Sequence, residues 1–228
     1  MADDLILLPG LLCDARLWRD VMSGLAVRSH IADLTQDQSV PAMAKRVLKT
    51  APARFALAGL SMGGYVALEI MRQAPERVTH LALLDTSARP DDDARKETRR
   101  KGIAMVQQGR FIGVSRGLLG TLIAPHHMGT PLAAEVQAMS ERVGAQAYVR
   151  QQAAIMGRVD SRPMLGTIQV PALVGVGEMD KLTPPELAEE MAGAIQEAEL
   201  VRFPDSAHLP TMENPEVVVE AMRRWLER

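Results

Sequence analysis

The sequence predicts an α/β fold: a mostly parallel six-stranded sheet flanked by helices, with an all-helical insertion after the fourth strand. Three observations carry this expectation. Short apolar runs alternate with helical periods toward both ends of the 228-residue chain. Several runs are apolar at successive positions, as strands buried on both faces of a parallel sheet must be. Between them, residues 87–166 carry no strand pattern at all.

The strand candidates are LILLPG (5–10), SHIADL (29–34, the weakest), RFALAGL (54–60), VTHLALLD (78–85), VPALVGVGE (170–178) and AELVRF (198–203). Helices fit between them at about 16–25, 41–50, 63–74, 184–194 and 215–227. Two helix starts are explicit. TPPE at 183–186 offers Thr183 as a cap with Pro at the first helical position and Glu three residues on, and NPE at 214–216 repeats an Asn-Pro opening. The domain reading that follows is a core from 1–86 and 167–228 with a helical cap at 87–166. The cap opens on RPDDDARKETRRK, where Asp91 and Arg95, Asp92 and Lys96, and Glu97 and Lys101 stand four apart. That spacing predicts a solvated helix laced with its own ion pairs, in preference to a docking patch for an acidic partner.

Composition narrows the function classes. The net charge is −2, so the chain has no basic excess with which to hold nucleic acid. One cysteine, Cys13, permits no internal disulfide, and no Cys/His spacing suggests a metal site. The acidic N-terminus and the lack of a long apolar run predict a cytoplasmic protein with no membrane partner. A small-molecule substrate is the expectation.

The segment FALAGLSMGGYVALEI, 55–70, places Ser61 where a buried strand ends and a helix begins. A side chain there is lifted off the sheet edge on a strained turn. The residues two before and two after it are pressed together, so Gly59 and Gly63 relieve the turn and Gly64 lets the helix approach the sheet. The Met62 amide, opening the helix, points toward the place where negative charge would develop on a substrate oxygen. GLSMG is therefore a GxSxG nucleophile elbow. A serine nucleophile needs a base and an orienter. Of the five histidines, only His208 falls in a loop at the sheet's carboxyl edge on the serine's side; His30 and His80 lie in or beside strands, and His126 and His127 lie in the insertion. The acid is expected to be Asp180, in the turn after the fifth strand, with Glu178 its near rival and Asp85 a distant one.

Together, GLSMGG, GEMDKLTPP and HLPTMENP resemble the α/β-hydrolase superfamily over residues 5–85 and 167–228, with the triad in the order Ser61, Asp180, His208. The chain is similar to the small bacterial esterase branch that includes pimeloyl-carrier methyl esterases and enol-lactonases, with a helical cap. The resemblance implies a second oxyanion amide at Leu11, although Pro9-Gly10 stands where His-Gly is usual, and six strands replace the family's eight. It implies a serine hydrolase that cleaves a small to medium carboxylic ester or thioester through an acyl-enzyme, with no metal or organic cofactor. Other chemistries on the same triad are enol-lactone opening, carbon–carbon bond hydrolysis, perhydrolysis and a lyase step of menaquinone synthesis. A ligand-binding receptor of the same fold is a third class. Within the insertion, Met, Leu, Ile and Ala suggest an adaptable apolar pocket. Arg150, Arg158 and Arg162 are expected to form surface salt bridges, although any one of them could meet a substrate carboxylate.

Overall fold

The computed structural model describes residues 4–228. Strand β1 (Asp4–Leu8) leads through α1 (Arg16–Gly24) to β2 (Ser29–Ile31), and α2 (Val40–Thr50) returns the chain to β3 (Phe55–Leu60). Helix α3 (Met62–Gln73) and β4 (Val78–Leu84) follow. The helices α4 (Asp93–Gln107), α5 (Arg116–Leu122) and α6 (Pro131–Met156) separate β4 from β5 (Ala172–Gly177). The chain closes with α7 (Pro185–Ala194), β6 (Glu199–Phe203), α8 (Pro210–Glu213) and α9 (Pro215–Leu226).

All six strands pair in parallel in the order β2-β1-β3-β4-β5-β6. The chain first moves outward from β1 to β2, then crosses back to lay β3 on the other side of β1. The crevice at such a reversal, beyond the carboxyl ends of the strands, is where open α/β sheets bind ligands. The loops after β1 and β3 both open there.

Alternation along the strands divides the core in two. Ile6, Leu8, Leu57, Leu81, Leu83, Val174 and Val176 face a buried layer with residues of α2, α3 and α7. Leu5, Leu7, Ala56, Ala58, Ala82, Leu84 and Leu173 face a second layer with α1, α9 and parts of the insertion. Both faces of each central strand are therefore buried, which is why these strands read as continuous apolar runs. The edge strands differ. β2 is partly exposed at all three positions, and only Phe203 of β6 is buried. That accounts for the weak pattern of SHIADL, of which only the first three residues form a strand.

Three local expectations are corrected. The pairs spaced by four at the start of α4 do not form. Asp92 caps the helix by accepting the Arg95 N–H at 2.7 Å, Asp91 pairs with Arg99 and Arg158, and Glu97 pairs with Arg100. Asp91 precedes the helix, where it faces inward, so its spacing to Arg95 carries no contact. Arg162 does form a surface pair with Asp160, but Arg158 is buried and Arg150 donates to the Thr35 carbonyl. Thr183 does not cap α7; Pro184 holds the cap position, and the threonine hydroxyl donates to Asp180 instead. Among the described residues, no helix is long and apolar enough to cross a membrane.

Candidate active site

Ser61 sits between β3 and α3 with φ 55° and ψ −116°, a conformation that non-glycine residues rarely adopt and that costs on the order of 1–3 kcal/mol. Its neighbours show what permits it. A Cβ on Gly59 would lie 2.4 Å from the Gly63 carbonyl oxygen, and one on Gly63 would lie 2.1 Å from the Leu8 carbonyl oxygen. Thr86 supports the turn from the next strand by donating its hydroxyl to the Ser61 carbonyl at 2.7 Å, while the Ser61 N–H donates to the Leu84 carbonyl at 3.0 Å.

Three loops bring the polar groups to this serine. His208 Nε2 lies 2.9 Å from Ser61 Oγ, and His208 Nδ1 lies 2.8 Å from Asp180 Oδ2. Asp180 is held by four donors, His208 Nδ1 among them. Its Oδ1 accepts the N–H groups of Leu182 and Thr183, and its Oδ2 also accepts the Thr183 hydroxyl at 2.7 Å. Burial alone would push this carboxyl up. The charge of His208, its hydrogen bond and the Thr183 donors outweigh burial and hold Asp180 below the ordinary carboxyl range. Glu178 is exposed and outside this cluster, while Asp85 is fully buried beside it. The other histidines are engaged elsewhere: His30 with Asp4, His80 against the Trp225 ring, and His126 against His127.

The loop after β1 completes the floor. Among the described residues, the N–H groups of Leu11 and Met62 have no acceptor within the chain. The next amide, that of Leu12 at φ 59°, donates to Gln151 of α6 at 3.1 Å, and Gln151 in turn donates to the Leu34 carbonyl at 3.2 Å. A cavity of about 520 Å³ opens above Ser61 and His208, with an apolar wall from α5 and α6 and a polar wall from α4 and the loop after β5. The arrangement can move a proton from a hydroxyl to an imidazole backed by a carboxylate, next to two unspent amide donors.

Over residues 5–221 the chain matches the Alpha/beta hydrolase family. The chain belongs to that family. A curated relative named pimeloyl-[acyl-carrier protein] methyl ester esterase, from Chromobacterium violaceum, is 28% identical, with 98% of this chain and 94% of the relative aligned. A protein of the same name from Yersinia enterocolitica is 29% identical over 93% of this chain and 89% of its own. Among solved structures, a thermophilic esterase from Thermogutta terrifontis superimposes with a TM-score of 0.89 at 28% identity, covering 98% of this chain and 89% of that one. The enol-lactonase from Burkholderia xenovorans shares the fold with a TM-score of 0.83 at 22% identity, covering 100% and 92%.

Two supports of this alpha/beta hydrolase site were not foreseen. Glu213 Oε1 accepts the N–H groups of Ala207 and Leu209 on either side of His208, both at 3.0 Å, and its Oε2 accepts the Ala124 N–H from the insertion at 2.6 Å. The His208 N–H itself donates to the Leu122 carbonyl at 3.0 Å. The histidine loop is thus tied to the insertion at two points. A lone acid inside the otherwise unionised HLPTMEN was the available signal. Gln151 left no such signal, because a glutamine within a helix reads as surface. Cys13 is a free, buried thiol, with burial first and Asp14 second pushing it up to about 12.

Proposed function

We propose that the protein is a carboxylic ester hydrolase that works through an acyl-enzyme, with Ser61 as nucleophile, His208 as general base and Asp180 as orienting acid. The observation that carries this reading is the continuous relay from Ser61 Oγ to His208 Nε2 at 2.9 Å and from His208 Nδ1 to Asp180 Oδ2 at 2.8 Å, at the base of a cavity.

His208 takes the Ser61 proton as Oγ attacks the acyl carbon. The Leu11 and Met62 amides receive the oxyanion, and Asp180 keeps the imidazole in the tautomer that presents Nε2 to the serine. His208 then protonates the leaving alcohol. In the second half it deprotonates water, which attacks the acyl carbon and frees Ser61. Because the two named relatives are pimeloyl-[acyl-carrier protein] methyl ester esterases, a methyl ester of a medium-length acyl group is the substrate to try first.

The test is hydrolysis of activated esters, methyl esters and acyl thioesters, together with labelling by a fluorophosphonate and peptide mapping. Label on Ser61 alone, and loss of both label and turnover in Ser61→Ala, is the expected result. Label elsewhere on well-folded protein, or unchanged turnover in Ser61→Ala, would remove the reading.

A further inference from the structure

Asp85 directly follows β4 at φ 44° and is completely buried. Its Oδ1 accepts the Gly177 N–H at 2.8 Å, which ties the ends of β4 and β5 together. Its Oδ2 is also buried and meets no donor among the described residues. Polar atoms of Asp85, Asp180 and His208 all lie within 4.8 Å of one another.

Two carboxylates this close and out of water do not both carry charge. Asp180 has four donors, His208 among them, whereas Asp85 has one. Burial first, then the charge of Asp180, push the Asp85 carboxyl well above its ordinary range, and Glu213 on the histidine loop adds a further negative charge. As an anion, Asp85 would leave Oδ2 an orphaned acceptor; as an acid, the same oxygen becomes a donor, and the Asp180 carboxylate is the acceptor within reach. A cation bound among the three groups is the competing arrangement, but it would need the His208 Nδ1 lone pair, whereas that nitrogen carries its hydrogen toward Asp180 at 2.8 Å.

We propose that Asp85 stands as a neutral carboxylic acid that donates its Oδ2 hydrogen to the Asp180 carboxylate, and so acts as a positioning residue for the group that orients His208. The shared proton draws charge from Asp180 and lowers its pull on the imidazolium.

The role in catalysis rests on the reading of Asp180 as the orienting acid; the proton on Asp85 does not. Two measurements separate them. In unaltered protein carrying ¹³Cγ-labelled aspartate, one resonance should stay at the protonated position from about pH 6 to about pH 8, where ordinary aspartates are ionised, and should vanish in Asp85→Asn. If no resonance stays there, the proposal falls. In kinetics, Asp85→Asn keeps a donor toward Asp180 and should keep the acid limb of the pH–rate profile in place. Asp85→Leu removes the donor and should move that limb toward higher pH by on the order of one unit. Superimposed profiles for the two variants would overturn the positioning role. Full activity in Asp180→Asn would instead overturn the triad, while the labelled resonance would still decide where the proton is.

Discussion

Arg158 Nη1 lies 2.8 Å from Asp91 Oδ1, and the two side chains are 4% and 0% exposed. They reach this contact from opposite ends of the insertion, Asp91 two residues before α4 and Arg158 two residues after α6. Arg99 joins the carboxylate at 2.5 Å, and the Arg158 guanidinium lies 4.2 Å from the centre of the Tyr65 ring on α3. The pair therefore closes the neck of the insertion and anchors it to the helix behind the serine. Truncating one member of a buried pair strands the other, which costs about 3–5 kcal/mol. Because Arg99 stays with Asp91, Arg158→Met should fall near the low end of that range. In urea unfolding, Asp91→Leu combined with Arg158→Met should be less destabilised than the sum of the single variants. Strict additivity would mean that the two do not act as a pair.

Asp85 and Asp180 predict opposite dependences of stability on pH. Asp180 is held below the ordinary value of 3.8, as is Asp91, where burial is outweighed by Arg99 and Arg158. Their stabilisation is present above 3.8 and is lost as the pH falls below it. Asp85 is shifted upward, so it is neutral when folded and ionised when unfolded over the range from 3.8 to its raised value. Across that window folding takes up a proton, and stability falls by about 1.4 kcal/mol per pH unit. Asp85→Asn removes this penalty while retaining an acceptor for Gly177. It should be more stable than the unaltered protein at neutral pH, by a margin that shrinks toward pH 4. Thermal unfolding across pH decides the matter; a margin independent of pH would contradict the linkage.

Glu213 holds the peptide groups on both sides of His208, so its removal should misplace the imidazole without touching the substrate cavity. Displacements of about 1 Å at a reacting group can cost on the order of 10²-fold in rate. Glu213→Ala is expected to lower kcat by roughly ten- to a hundredfold with little change in KM. Glu213→Gln can keep its oxygen as acceptor for the Ala207 and Leu209 N–H groups but sets its amide nitrogen against the Ala124 N–H, and should fall between Glu213→Ala and the unaltered protein. A change confined to KM would place Glu213 in substrate binding.

The residues that meet at the serine were readable because each carries a local constraint. Gly59 and Gly63 avoid backbone contacts that any side chain would violate, and Asp180 and His208 fall in turns at strand ends, where polar side chains have a chemical reason to be. The central strands were equally legible, since burial on both faces leaves an unbroken apolar run. What could not be read depends on contacts between distant segments. Thr183 looks like a helix cap until Asp180 is placed against it, and Asp91 looks like a surface charge until Arg158 arrives from 67 residues further along the chain, at position 158. Gly144, at φ 80°, breaks α6 within a stretch whose local pattern predicts no interruption.

The wall of the cavity gives the last prediction. Val114, Leu118, Leu122, Val136 and Met139 line it from the insertion, whereas Met105 is 42% exposed and does not. Each methylene of an acyl chain buried against this wall can contribute up to ~0.8 kcal/mol, or about fourfold in kcat/KM if the contact is kept in the transition state. Efficiency toward p-nitrophenyl esters should therefore climb about two- to fourfold per carbon from acetate, peak at about C4 to C8, and decline once the cavity is full. Filling the wall tests whether acyl chains lie along it. Val136→Phe and Met139→Phe both extend a side chain into the space and should move the optimum to shorter esters, with the short-chain rates preserved. Met105→Gln, on the outer side of α4, should leave the optimum where it was. An insertion that served only as a lid would give a flat response to chain length, or the same optimum in all three variants, and either outcome would separate the acyl pocket from these residues.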